Sequence, residues 1–220
     1  SPVQGKPELV EKYQNKNPGK SPHKSAEYAA MVDAIDTNVG RILKKLKDLN
    51  LSRKTLILFA SDNGGLANPT ATSNAPLKKG KGFLYEGGIR VPMIVKWDGV
   101  TEKGSTCEEL VHTIDFFPTI VDIGKTGKPD HKLEGESMLS LFNNSKAKLE
   151  RKAMYWHFPG YAMGRENPQS KPQSAIRSGD YKLLENLEDN SLELYNLKKD
   201  IGEKENLAKK ETAKANELYM

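Results

Sequence analysis

Thr55-Leu-Ile-Leu-Phe-Ala60, running directly into Ser61-Asp62-Asn63-Gly64-Gly65, decides the fold reading of this chain. A run of this length without a charge reads as a strand buried on both faces, the pattern of a parallel sheet covered by helices. Asp62 and Asn63 then fall just past the strand's C-terminal end, where open α/β sheets place their ligand sites. A carboxylate beside an amide carbonyl offers hard oxygen donors suited to Ca2+ or Mg2+ and poorly suited to softer metals. Downstream, Lys81 stands inside Pro76-Leu-Lys-Lys-Gly-Lys-Gly82, and Glu86-Gly-Gly-Ile-Arg-Val-Pro92 follows. Glycines on both sides of Lys81 let a ligand approach the backbone, where the ammonium acts as a point charge against a tetrahedral oxyanion. Each signal also has a plainer reading: Asp62-Asn63 as an Asx turn, Lys81 as an ordinary loop lysine.

Outward from this stretch the chain reads as α/β. Residues 1–24 are rich in Pro, Lys, Asn and Gly and read as an extended surface connection. From Ser25, a candidate N-cap, apolar residues at Tyr28, Met31, Val32, Ile35, Val39, Ile42, Leu43 and Leu46 fall on one face of a long amphipathic helix that would cover a sheet. Residues 62–90 form a Gly-, Asn- and Lys-rich loop system too long for a mere connection. Val91 to Trp97 reads as the next strand, Glu108 to His112 as another, and Asp115 to Ile123 as a short helix with Pro118 in its first turn. Beyond a Gly-, Lys- and Asn-rich stretch, 152–158, 174–178, 181–187 and 192–197 read as short antiparallel strands, and a charged helix runs from about Glu203. The expected division is 1–145, part of a main α/β domain, and 146–220, a small α+β subdomain.

Composition is that of an ordinary globular chain. The 220 residues carry a formal net charge of +5, but the lysines are scattered and lack the interleaved aromatics of a nucleic-acid footprint, so no nucleic-acid partner is expected. The single cysteine, Cys107, excludes an internal disulfide. No stretch has the length and apolarity of a transmembrane segment.

The two motifs named above, with Tyr28-Ala-Ala-Met-Val-Asp-Ala-Ile-Asp36 leading to Val39-Gly40, Ile114-Asp-Phe-Phe-Pro-Thr119, Leu194-Tyr-Asn-Leu197 and Glu205-Asn-Leu-Ala208, resemble the sulfatases of the alkaline-phosphatase superfamily in order and spacing. The resemblance implies part of an alkaline-phosphatase-like α/β sandwich, joined to a small antiparallel sheet with a C-terminal helix. It implies that Asp62 and Asn63 ligate an active-site Ca2+, and that Lys81 is catalytic and holds a sulfate oxygen. The family's nucleophile is a formylglycine made within a Cys/Ser-x-Pro/Ala-x-Arg motif. Here Cys107 is followed by Glu-Glu-Leu-Val, and Ser145-Lys-Ala-Lys-Leu149 ends in leucine where arginine is required. The expectation is therefore a C-terminal portion of a sulfatase, inactive alone, with the formylglycine, two further Ca2+ ligands and a catalytic histidine upstream. The implied substrate is a sulfated saccharide or aryl sulfate. The implied compartment is a bacterial periplasm or exterior, and self-association is expected of a chain lacking its N-terminal half.

Other residues weigh differently. Glu86 and Arg90 read as a structural ion pair ordering Gly87-Gly88, and His112 as a packing histidine. His157, within Tyr155-Trp-His-Phe-Pro-Gly-Tyr161, is a candidate substrate-binding residue, because aromatics around a polar group suit a sugar pocket. Two alternatives stand beside the sulfatase reading. A phosphohydrolase of the same superfamily would use two metals and typically carries Asp-His where this chain has Asp62-Asn63; an amide is a poor zinc ligand. A non-catalytic module binding sulfated glycans is the other.

Overall fold

A computed structural model describes residues 3–17, 19, 23–67, 72–127, 129–161 and 170–219. Within them the chain opens with a helix rather than the extended connection expected: α1 spans Pro7–Gln14, with proline in its first turn and Glu8 near its N-terminus. Both features favour helix initiation in a stretch whose composition suggests a loop. The long helix α2 spans Ala26–Asp48, and the Ser25 hydroxyl accepts a hydrogen bond from the Tyr28 amide at 3.1 Å, so the N-cap stands where the sequence puts it. Its neighbour is α1: Asp33 accepts from Lys12 Nζ (2.6 Å) and Tyr13 Oη (3.1 Å), and Glu27 Oε2 accepts from the Gly5 amide (2.8 Å). Val32, Ile35 and Ile42, on the stripe expected to cover a sheet, remain exposed.

The decisive strand is observed as β1, Ile57–Ala60, but it is neither parallel nor buried on both faces. It pairs antiparallel with β2, Met93–Lys96, with Leu58 opposite Val95 and Phe59 opposite Ile94. Alternation sends Leu56, Leu58, Met93, Val95 and Trp97 onto a core of Met138, Leu141 and Phe142. Phe59 and Ile94 point the other way and are exposed. Between the strands lies α3, Glu86–Ile89. The strand expected at 108–112 does not form; His112 instead caps a 3-10 turn, Thr113–Asp115, that continues into α4, Phe116–Gly124. Helix α5, Leu139–Asn143, completes that core.

The C-terminal part is a four-stranded antiparallel meander of β3 (Met154–Phe158), β4 (Gln173–Ser178), β5 (Tyr181–Asn186) and β6 (Ser191–Asn196), close to the expected strands. Helix α6 spans Thr212–Tyr219, shorter than the sequence reading. Leu183 and Leu194 on one face pack against Ala215 and Leu218 of α6. On the other face Ala175, Leu184 and Tyr195 pack with Tyr85, Phe83, Leu84 and Trp156. That second face therefore lies directly against the segment preceding α3.

Candidate functional site

Three segments meet beyond the end of β1. The Gly64 amide donates to the Gly88 carbonyl (2.8 Å), the Lys81 amide donates to the Gly65 carbonyl (2.9 Å), and the Gly87 amide donates to the Lys78 carbonyl (2.9 Å). The Asn74 amide nitrogen stands among all three, donating to the carbonyls of Gly65 (2.8 Å), Lys79 (3.0 Å) and Gly87 (3.1 Å). Glycine is required where they touch. A Cβ on Gly64 would lie 1.8 Å from the Gly87 carbonyl oxygen, and one on Gly87 would lie 2.3 Å from that of Lys79. The Asp62-Asn63 turn and the Lys81 loop are thus held in one backbone unit.

The Asp62 side chain accepts from the adjacent Asn63 amide (3.0 Å), a local contact one residue short of the Asx turn. Asn63 Nδ2 donates to the Gly64 carbonyl (3.0 Å), and the Ser61 hydroxyl donates to the Asn63 carbonyl (2.8 Å). Asn63 thus spends its amide nitrogen on the backbone, which leaves the chemistry of its amide oxygen, a hard donor, to add to that of the adjacent Asp62 carboxylate. Two oxygens are a minority of the roughly 6–8 that Ca2+ takes. Among the described residues no group of three or more His, Cys, Asp or Glu is placed to hold a metal. The pair therefore fits a hard cation as part of a larger ligand set. Lys81 is exposed, and its backbone amide is held by the Gly65 carbonyl.

Lys78 Nζ donates to Tyr195 Oη (2.9 Å), lies 3.5 Å from Glu193 Oε2, and sits 4.1 Å from the Tyr85 ring centroid. Tyr85 Oη donates to both Glu193 oxygens, at 2.8 and 3.0 Å, and Tyr195 Oη donates to Glu193 as well. Burial pushes the Glu193 carboxyl up, but the Tyr195 and Tyr85 hydroxyls and the Lys78 ammonium outweigh it and leave it below the usual value. The same cluster raises both tyrosines, chiefly by burial and then by their hydrogen bonds to the Glu193 carboxylate. Neither Glu193 nor Asn74 is singled out by sequence; the Asn74-Ala-Pro76 stretch signals a turn, not its threefold donation.

The ion pair expected between Glu86 and Arg90 is present at 3.3 Å. His112 is a capping residue: its Nδ1 accepts from the Ile114 amide (3.3 Å), and its own amide donates to Asp115 (2.7 Å). His157 stands opposite Ser174, with Nδ1 2.9 Å from the serine Oγ. Strand alternation puts it on the face of Ile176, Leu183 and Leu194, which packs on α6. The structure hydrogen-bonds the glycines that follow Asp62-Asn63 to the Lys81 loop and to α3, and it places His157 on the opposite face of the C-terminal sheet from the Tyr85 segment.

Comparison with known proteins gives this geometry a setting. Residues 79–219 match the family described as N-sulphoglucosamine sulphohydrolase, C-terminal, and residues 2–126 match the family described as Sulfatase. A sulfatase of Formosa agariphila is 41% identical over 217 residues, covering 91% of this chain and 38% of the relative. The N-acetylglucosamine-6-O-sulfatase of Bacteroides thetaiotaomicron is 30% identical over 198 residues, covering 88% and 34%. Among solved structures, Ps i-CgsB in complex with k-i-k-neocarrahexaose superposes with a TM-score of 0.81 at 29% identity, over 99% of this chain and 46% of that one. A second enzyme, in complex with its substrate D-glucosamine-2-N,6-O-disulfate, superposes with a TM-score of 0.76 at 27% identity, over 99% and 41%. The chain spans less than half the length of each of these four proteins. The fold is the α/β fold of these neighbours, with the small antiparallel sheet and C-terminal helix of their kind.

Proposed function

The chain belongs to the sulfatase family, and from that premise we propose that it is the part of a sulfate monoester hydrolase that supplies cation and sulfate ligands to a shared active site. The observation that carries this reading is the backbone unit in which Gly64 and Gly65, just after Asp62-Asn63, are hydrogen-bonded to Gly88 and Lys81. A carboxylate and an amide oxygen stand on one arm of that unit and an ammonium on the other. Asp62 and Asn63 would hold Ca2+, which when bound supplies fixed positive charge to orient sulfate oxygens and offset charge developing in the transition state. Lys81 would bind a sulfate oxygen with its own charge, on a loop already held in place by Asn74 and the Lys78 cluster. The nucleophile comes from elsewhere in a longer protein, as a formylglycine by resemblance, because no Cys/Ser-x-Pro/Ala-x-Arg stretch occurs in these 220 residues. The isolated chain then releases no sulfate.

Sulfated saccharides are the substrate class this reading favours. Its support is the naming of relatives and neighbours: an N-acetylglucosamine-6-O-sulfatase, and an enzyme bound to a disulfated glucosamine. A secreted or periplasmic setting fits such substrates, and no helix among the described residues is long and apolar enough to cross a membrane. Asn63 in place of a histidine weighs against the two-zinc phosphohydrolase reading, since an amide oxygen is a weak zinc ligand. His157 stays outside the proposed site because its side chain lies on the α6 face of the sheet.

The test is Lys81→Ala in the full-length protein matured with its formylglycine. Loss of one preorganised charge contact costs about a hundredfold or more in kcat. Turnover near that of the unmodified enzyme takes Lys81 out of the site.

A further inference from the structure

Helix α3 has four residues, two of them glycine, and cannot hold its own shape: helix nucleation is unfavourable and glycine adds backbone entropy. Yet both arms of the candidate site hang on it, through Gly88 to Gly64 and through Gly87 to Lys78 and Asn74. Something outside α3 must fix it. The Glu203 carboxylate meets its start, with Oε2 accepting the Glu86 amide at 2.7 Å. Glu203 Oε1 lies 3.0 Å from Lys182 Nζ, and Lys182 lies 3.1 Å from Glu86 Oε1. Glu86, Lys182 and Glu203 are each at most 1% exposed. Arg90 and Arg177 face the remaining Glu86 oxygen at 3.3 and 3.9 Å, so the two carboxylates do not lack positive charge. Glu203 is itself anchored. Its backbone adopts a left-handed φ of 50°, its amide donates to the Asp200 carbonyl (3.2 Å), and the next two amides donate to the Asp200 carboxylate (2.7 and 2.9 Å).

We propose that Glu203 is a positioning residue: its carboxylate, backed by Lys182 from the C-terminal sheet, fixes the N-terminus of α3 and through it the relative placement of the Asp62-Asn63 turn and the Lys81 loop. The catalytic consequence rests on the function proposed above; the positioning itself does not. Reach and charge separate this from a plain buried ion pair. Glu203→Gln keeps an oxygen within reach of the Glu86 amide and loses the charge. Glu203→Asp keeps the charge and withdraws the oxygen by one methylene.

In the full-length protein, positioning predicts that Glu203→Asp is the more damaging change. Amide hydrogen exchange within residues 61–66 and 78–90 quickens about tenfold or more, as expected when local opening becomes easier. In the same variant kcat for sulfate release falls about a hundredfold with KM little changed, the scale set by an ångström of misplacement. Glu203→Gln stays close to the parent in both. The reverse order, with Glu203→Gln the worse because it leaves a buried ammonium underpaired, or equal effects of the two, overturns the inference. Should Glu203→Asp fail to fold, Glu203→Gln decides: exchange like the parent in the two loops upholds positioning, and accelerated exchange overturns it. Exchange is read whether or not the parent turns over sulfate, so a parent without sulfatase activity refutes the proposed function while the exchange order still decides this one.

Discussion

Gly64 shows how closely single residues are constrained at the candidate site. The atoms a Cβ there would meet are all backbone, at 1.8, 2.7 and 2.9 Å, so no side chain can swing aside to admit it. Gly64→Ala must push α3 away, and overpacking of this kind costs about 1–3 kcal/mol or more. Denaturant unfolding of the full-length protein should show a loss at the upper end of that range; an unchanged midpoint would mean the two segments are not in contact. The sequence proposes Asp62, Asn63 and Lys81 through residue types that suit cation and oxyanion chemistry, flanking glycines and, above all, the family resemblance of the motifs that hold them. It does not propose Asn74, Glu193, Lys182 or Glu203. Asn74 acts on carbonyls 5 to 13 residues away that no side-chain pattern marks, and the other three act through pairings across 100 residues or so of chain, such as Lys78 with Glu193 and Glu86 with Lys182, which no local pattern encodes. Lys182 left one trace: it alternates in phase with buried Leu184, an inward position where a lysine needs a partner.

At the scale of elements, legibility followed the strength of local signals. The α2 cap at Ser25 and the four C-terminal strands rest on periodicity and turn residues, and the structure matches them to within a few residues. Helix α1 is hidden by composition, and the short apolar run of β1 does not encode its antiparallel pairing with β2 or which of its faces these 220 residues cover. The 108–112 segment is capped rather than paired. There His112 and Asp115 exchange hydrogen bonds, and Asp115 also receives Arg151 Nη1 at 2.9 Å and the Glu136 amide at 2.9 Å. Burial lowers the His112 imidazole below the ordinary 6.5; Asp115 opposes the shift and Arg151 adds to it. The unfolded chain therefore binds the proton more readily. The stability due to neutral His112 is fully present above pH 6.5 and is lost as pH falls through the lower folded value. Protonated Nδ1 cannot accept the Ile114 amide, so the cap is lost with the charge change. Unfolding measured at pH 7 and pH 5 should show this loss, and His112→Asn, which caps without titrating, should shrink the pH difference. An identical pH dependence in the variant would exclude His112 as its source.

Taken whole, the chain leaves apolar surface uncovered. Val32, Ile35 and Ile42 of α2, Phe59 and Ile94 of the two-stranded sheet, and Phe117 and Ile120 of α4 are all exposed, Ile94 by 61% and Ile42 by 60%. Where such side chains adjoin in a patch they mark interaction sites or association hazards. Relatives are more than twice as long as the matched region, and the proposed Ca2+ set and nucleophile both require residues beyond these 220. The isolated chain should therefore light up a hydrophobic dye and sediment above monomer mass. A monodisperse monomer that leaves the dye dark would show that these faces are tolerated without a partner. The central claim, that this chain forms part of a calcium-dependent sulfatase acting on saccharides, is tested most directly by sulfate release from the full-length, formylglycine-matured protein. Sulfated saccharides and matched phosphate esters would be offered with and without chelator. The account predicts sulfate release from the saccharides that stops on chelation and returns with Ca2+; release of phosphate alone, or no turnover of any ester, would contradict it.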